Sequence, residues 1–198
     1  MIELDDFRVF LPKYLSEEST MGLFHELSQS PLNIDSRFYS SPFLYPNAVL
    51  QGDGLDGMLL VNLPDTKIGK GKAVIISNSC DVDTSNPRLF ASSICYCPII
   101  NLNKYEDMLK SKYPDLSGGK ISQHIQEIRA QRVSQIFFLP SAGELREDSF
   151  VFFDRICSCN NLSIDRTTLD SKKIFTLSNY GFYLFLFKLS IHFTRIRE

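Results

Sequence analysis

The residues best placed to do chemistry lie in one run, Ser77-Asn78-Ser79-Cys80-Asp81-Val82-Asp83. The apolar residues 73–77 in front of it read as a strand, and a strand end is where a rigid scaffold presents functional side chains. Cys80 becomes a nucleophile when a base stands beside it. Asp81 and Asp83, with a third carboxylate such as Asp154, have the chemistry of a divalent-cation site. The same residue types also make a plain polar turn, in which Asn and Asp side chains cap backbone amides. The turn is the preferred expectation, and no metal or other cofactor is expected.

The remaining reactive residues carry weaker patterns. Cys95 and Cys97, like Cys157 and Cys159, form C-x-C pairs. Two residues apart on a strand they share a face, as core cysteines do, whereas zinc sites favour C-x₂₋₄-C spacing with further Cys or His. The three histidines, His25, His124 and His192, have no metal-ligand spacing. His25 and His124 are expected at surface or boundary positions of helices. His192 lies near Lys188, Arg195 and Arg197, a cationic group that suits a helix C-terminus and also phosphate contact. Gly69-Lys70-Gly71-Lys72 lacks the frame of a P-loop and reads as a hairpin turn with solvated lysines.

These residues must be held by a chain of 198 residues that is 43% hydrophobic and 22% charged, enough for one substantial core. A net charge of −2 implies no broadly basic face, though Lys67, Lys70 and Lys72 make a local basic patch. The first ten residues carry Glu3, Asp5, Asp6 and Arg8, so no signal peptide is expected. The apolar run at 180–189 contains Lys188 and is too short to span a bilayer, which needs about 20 apolar residues. A cytoplasmic protein with no membrane association is expected. An odd count of five cysteines fits that compartment better than a disulfide framework.

The elements follow from periodicity. Ser16 with Glu17 and Glu18 starts a helix whose stripe is Met21, Leu23, Phe24 and Leu27. Residues 1–48 therefore form a helical and extended arm. Strands are expected at 58–62, 73–77, 91–100, 135–139 and 149–153, with a short β segment at 156–162. Residues 104–133 interrupt them with an amphipathic piece (Tyr105, Met108, Leu109), a Pro-Asp and Gly-Gly linker, and a helix over 121–133. A last helix over 177–193 is capped by Ser178.

Four of these segments, in order, resemble the MazF/PemK/Kid family of small barrels, the endoribonuclease toxins of bacterial toxin–antitoxin pairs. Gly52-Asp53 with a following strand and Leu63-Pro64-Asp65 is similar to the family's opening stretch. Gly71-Lys72-Ala73-Val74-Ile75-Ile76-Ser77 resembles its G-x-R-P strand. Ile94-Cys95-Tyr96-Cys97-Pro98-Ile99-Ile100 resembles its V-x-V-x-P strand, and Ser149-Phe150-Val151-Phe152-Phe153-Asp154-Arg155-Ile156 its strand ending in Asp-Gln. The likeness leaves out residues 1–48 and 104–133.

The resemblance implies an α+β fold built on a small SH3-like, MazF/PemK-like β-barrel at 49–198. The N-terminal helical arm, the helical insert and the C-terminal helix elaborate it. It further implies an RNA-binding groove and a homodimer. Where cleaving members use an Arg on the second strand, this chain has Lys72. Where they use a Thr, it has Ile100 or Asn101, and Phe152 replaces a second Arg, while Asp154 is retained. Lysine is a point charge without the guanidinium fork, and Phe supplies no charge. The leading expectation is a binding module of a toxin–antitoxin or phage-defence system, with an antitoxin or defence-system subunit as its protein partner. The alternative is an endoribonuclease acting on single-stranded RNA. Its candidate catalytic residues are Lys72, Cys80, Asp81 and Asp154, and Lys67, Lys70 and Lys72 contact the nucleic acid.

Overall fold

A computed structural model describes residues 18, 21, 22, 25, 35–41 and 45–194. Of the expected N-terminal helix, Glu18, Met21, Gly22 and His25 are helical. Its Ser16 cap, the stripe residues Leu23, Phe24 and Leu27, and Arg195 and Arg197 lie outside the described residues.

From residue 49 on, short apolar runs alternate with turns, and the chain folds as a mixed α+β structure around one antiparallel sheet. β1 (Gly54–Asn62) and β2 (Asp65–Ile75) form a hairpin, and β3 (Ser93–Asn101) follows the single helical turn α1 (Ser79–Val82). Two insert helices, α2 (Leu102–Lys112) and α3 (Gly118–Arg129), lead to β4 (Ile136–Leu139), β5 (Ser149–Phe152) and β6 (Cys157–Asn160). The short α4 (Leu169–Lys172), β7 (Lys173–Phe175) and the long α5 (Asn179–Thr194) complete the chain. The strand order is β4-β5-β3-β2-β1-β7, and β6 pairs with β3 beside β5. This hydrogen-bonded path does not close: β4 and β7 stand at its ends.

Each face of the sheet buries its own set of residues, which is why some strands show no alternation. On β4, Phe137 and Leu139 join Phe153, Tyr180, Leu184 and Phe185 in a core beneath α5. Ile136 and Phe138 point the other way, with Phe150 and Phe152, against Ile121, Ile125 and Ile128 of α3. A strand buried on both faces reads as a continuous apolar run, and fully burying each such side chain stabilises by roughly 1.5–3 kcal/mol. A third cluster gathers Leu55, Ala73, Ile75, Ile94 and Tyr96 under the hairpin.

Three boundaries differ from the sequence expectation. Gly69-Lys70-Gly71-Lys72 is not the hairpin turn. It lies inside β2, paired Leu60↔Gly69 and Met58↔Gly71. The reversal falls at residues 62–65 instead, where Leu63-Pro64 cannot continue a ladder, and the Leu60 side chain covers the bare face of Gly71. The Gly118-Gly119 pair is not a linker: it forms the first turn of α3, which ends at Arg129 rather than at 133. β7 was unforeseen, because Lys173 reads as a surface residue until its partner is known. By contrast, Ser178 does cap α5, its hydroxyl accepting from the Gly181 amide at 3.2 Å.

Candidate functional site

The polar run after β2 folds into a tightly bonded turn. Asn78 caps α1 by accepting from the Cys80 amide at 2.9 Å, and Asp83 accepts from the Ser85 amide at 2.8 Å. The Ser85 amide and hydroxyl hold the Asp83 carboxyl below the usual carboxylate range. Arg88 binds Asp81 Oδ1 at 2.8 Å and also donates to the Cys80 carbonyl, which Asn86 shares. The buried Asn161 donates to the Val82 carbonyl and to Ser92, and Arg166 donates to the Val82 carbonyl at 3.0 Å and to Asn161 Oδ1. These bonds satisfy the backbone carbonyls that the turn exposes, the role expected of Asx-rich loops.

Beside this turn runs an open cleft of about 260 Å³ between residues 47–50 and α1, lined by Val49, Ser79, Cys80, Asp83 and Arg166. It offers little to a ligand. The Arg166 donors already serve the carbonyls of Asn161, Val82 and Ile164. The Cys80 thiol is exposed, and among the described residues no base is hydrogen-bonded to it.

Among the described residues no hydrogen bond or ion pair joins any two of Lys72, Cys80, Asp81 and Asp154. Lys72 sits half-buried on β2, reaching the Glu144 carbonyl at 3.5 Å across the β4–β5 connection. Lys67 and Lys70 are exposed on the same strand. Asp81 is engaged by Arg88. Asp154 is exposed in the turn between β5 and β6, near enough to add to the burial that pushes the Cys97 thiol up to about 12. Phe152 is buried, its ring covered by the Arg155 guanidinium at 4.4 Å.

Other groups emerge that the sequence did not signal. Asp53 and Lys173 form a fully buried ion pair at 2.9 Å, and the Lys173 ammonium also serves the Tyr45 and Ala48 carbonyls. Burial raises the Asp53 carboxyl, against the pull of Lys173 and of the Leu50 amide. Lys188 is buried on α5, where its ammonium donates to Gln131, to Val133 and to the Ile136 carbonyl, joining α5 to the α3–β4 connection. His192 sits between the rings of Phe153 and Phe193. Tyr105 on α2 and His124 on α3 are hydrogen-bonded, Oη to Nε2, at 3.2 Å.

The β1–β2 hairpin also exposes apolar side chains. Leu59, Val61 and Ile68 share one face of the β1–β2 hairpin, since Val61 pairs with Ile68 and Leu59 lies two residues along. They are 40%, 40% and 69% exposed. Leu63 at the hairpin tip, and Leu89 and Phe90 in the loop before β3, are more exposed still. The Cys157 thiol reaches the Val61 carbonyl at 3.6 Å, and the preceding residue, Ile156, is also exposed. No helix among the described residues is long and apolar enough to cross a membrane. No protein-family model matches the chain, and a search of curated proteins returns no match.

Proposed function

We propose that the chain is a diverged MazF/PemK-like, SH3-like barrel that serves as a protein-binding module of a toxin–antitoxin or phage-defence type system, without the family's catalysis. The observation that carries this reading is the solvent-exposed apolar face Leu59–Val61–Ile68 on a projecting hairpin. Exposed apolar patches of this kind mark protein interaction sites. Support also comes from what is missing around the retained carboxylate. Cleavage through a 2′-hydroxyl needs a base for that hydroxyl and cations for the charge developing on phosphorus. The residue at the family's second Arg position is the uncharged Phe152, leaving Arg155 over its ring as the neighbouring cation, and Lys72 is directed to the Glu144 carbonyl.

The alternative, an endoribonuclease, draws on Lys67, Lys70 and Lys72 projecting from one strand. The two readings separate in one assay: incubation of the folded protein with a long unstructured labelled RNA, with and without Mg²⁺, beside Asp154→Ala. We expect the RNA to remain intact. Metal-independent cuts that vanish in Asp154→Ala and Lys72→Ala would establish the endoribonuclease instead. Cuts that require Mg²⁺ would place the chemistry at Asp81 and Asp83.

A further inference from the structure

The insert helices and the end of β5 bring together three polar groups that neither the α1 turn nor the hairpin uses. α2 contributes Tyr105, α3 contributes His124, and the turn after β5 contributes Arg155. Tyr105 is locked in place by edge-on contacts with Phe150 at 5.0 Å and Phe152 at 6.0 Å. Its hydroxyl faces His124 Nε2 at 3.2 Å, which leaves His124 Nδ1 with no protein partner among the described residues.

Arg155 lies over Phe152, with the guanidinium carbon 4.4 Å from the ring centroid. Among the described residues its side chain has no hydrogen bond and no ion pair. Of the nearby acidic groups, Glu106 is engaged with Lys110 and Glu127 with Arg132, while Asp107 of the insert and Asp154 beside Arg155 have no ion pair among the described residues. The guanidinium is close enough to pull the Tyr105 phenol down against the burial that raises it. An arginine held by an aromatic ring has lost little of its donor capacity and much of its freedom, so less order must be imposed when a ligand arrives.

We propose that Tyr105, His124 and Arg155 form a binding site for a phosphate group. Arg155 supplies the bidentate positive fork, and the hydrogen-bonded Tyr105–His124 pair supplies one neutral donor for a remaining oxygen: the Tyr105 hydroxyl when Nε2–H donates to it, or His124 Nδ1–H when the hydroxyl donates to Nε2. The site is built from the insert and the turn after β5, and does not depend on the partner reading above.

The test is calorimetric titration of the full chain at low salt with three probes: inorganic phosphate, adenosine monophosphate and a short oligouridylate. The wild-type chain is compared with Arg155→Gln, Tyr105→Phe and the control Arg88→Gln. Arg155 is exposed and Tyr105→Phe keeps the ring packing, so these variants retain the fold, which a thermal melt checks. We expect at least one probe to bind. Its affinity should fall by about tenfold or more in Arg155→Gln and severalfold in Tyr105→Phe, as expected for losing charged and neutral hydrogen bonds, and stay unchanged in Arg88→Gln. Equal binding of phosphate and the nucleotide would assign a free phosphate, a tighter nucleotide a phosphomonoester carrying a base, and binding of the oligonucleotide alone a phosphodiester. No binding of any probe, or binding that Arg155→Gln leaves intact, would overturn the assignment.

Discussion

Two buried lysines carry opposite lessons at the scale of single residues. Lys173 has a counter-charge in Asp53, and breaking a buried pair by removing one partner leaves the other charge stranded, at a cost of about 3–5 kcal/mol. We expect Asp53→Leu and Lys173→Met each to lose stability on that scale in urea denaturation. The double variant should lose less than the sum, giving a clear coupling in the double-mutant cycle. Lys188 has carbonyls around it and, among the described residues, no carboxylate, and burial pushes its amine down from 10.5 to about 7. Between those values the unfolded chain holds a proton that the folded one has released, so this group adds stability as pH rises from about 7 toward 10.5. The stability of the wild type minus that of Lys188→Met, followed by denaturation from pH 6 to 10, should therefore climb with pH. A flat difference would mean that Lys188 keeps its proton in the fold. Neither role was legible in the sequence. Asp53 was visible only as half of a Gly-Asp motif, and Lys188 only as a break in an apolar run, because a charge in a core is defined by partners more than 50 residues away.

Elements were legible where apolar spacing alone decides them and obscure where a neighbour decides. The α3 stripe Ile121, Ile125 and Ile128 is buried as its period requires. The hairpin turn falls elsewhere because two glycines mark a turn when read locally, yet in the sheet both lie within β2, and Gly71 serves close packing under Leu60. Of the candidate site, the Asx-rich character of the α1 turn was readable from composition. Its tie to Asn161 and Arg166 was not, since those residues lie some 80 positions away. Glycine at one position in α5 has a structural requirement: a side chain on Gly181 would run into the Phe38 carbonyl, whereas one on Gly69 meets open space. Gly181→Ala should lower stability by about 1–3 kcal/mol, as overpacking does. Gly69→Ala should stay within about 0.5 kcal/mol of the wild type. Paired thermal melts decide this, and equal melts would show that α5 can shift away from residue 38 without cost.

For the whole molecule, the β segments and the helical insert between β3 and β4 were readable from where the alternating pattern starts and stops. The strand order and the open ends of the sheet came only from pairing. The β1–β2 and β2–β3 hairpins join strands close in sequence, whereas the outer contacts are remote: Ser40 donates to the Thr176 carbonyl and Ser178 to the Phe38 carbonyl. That remoteness sets an order of events during synthesis on the ribosome. The hairpins and the insert can pair as soon as they emerge. Phe38, Tyr39 and the edge of β1 must wait, uncovered, until residues 173–185 have been made, and a chaperone that captures apolar segments of a growing chain would meet this protein there.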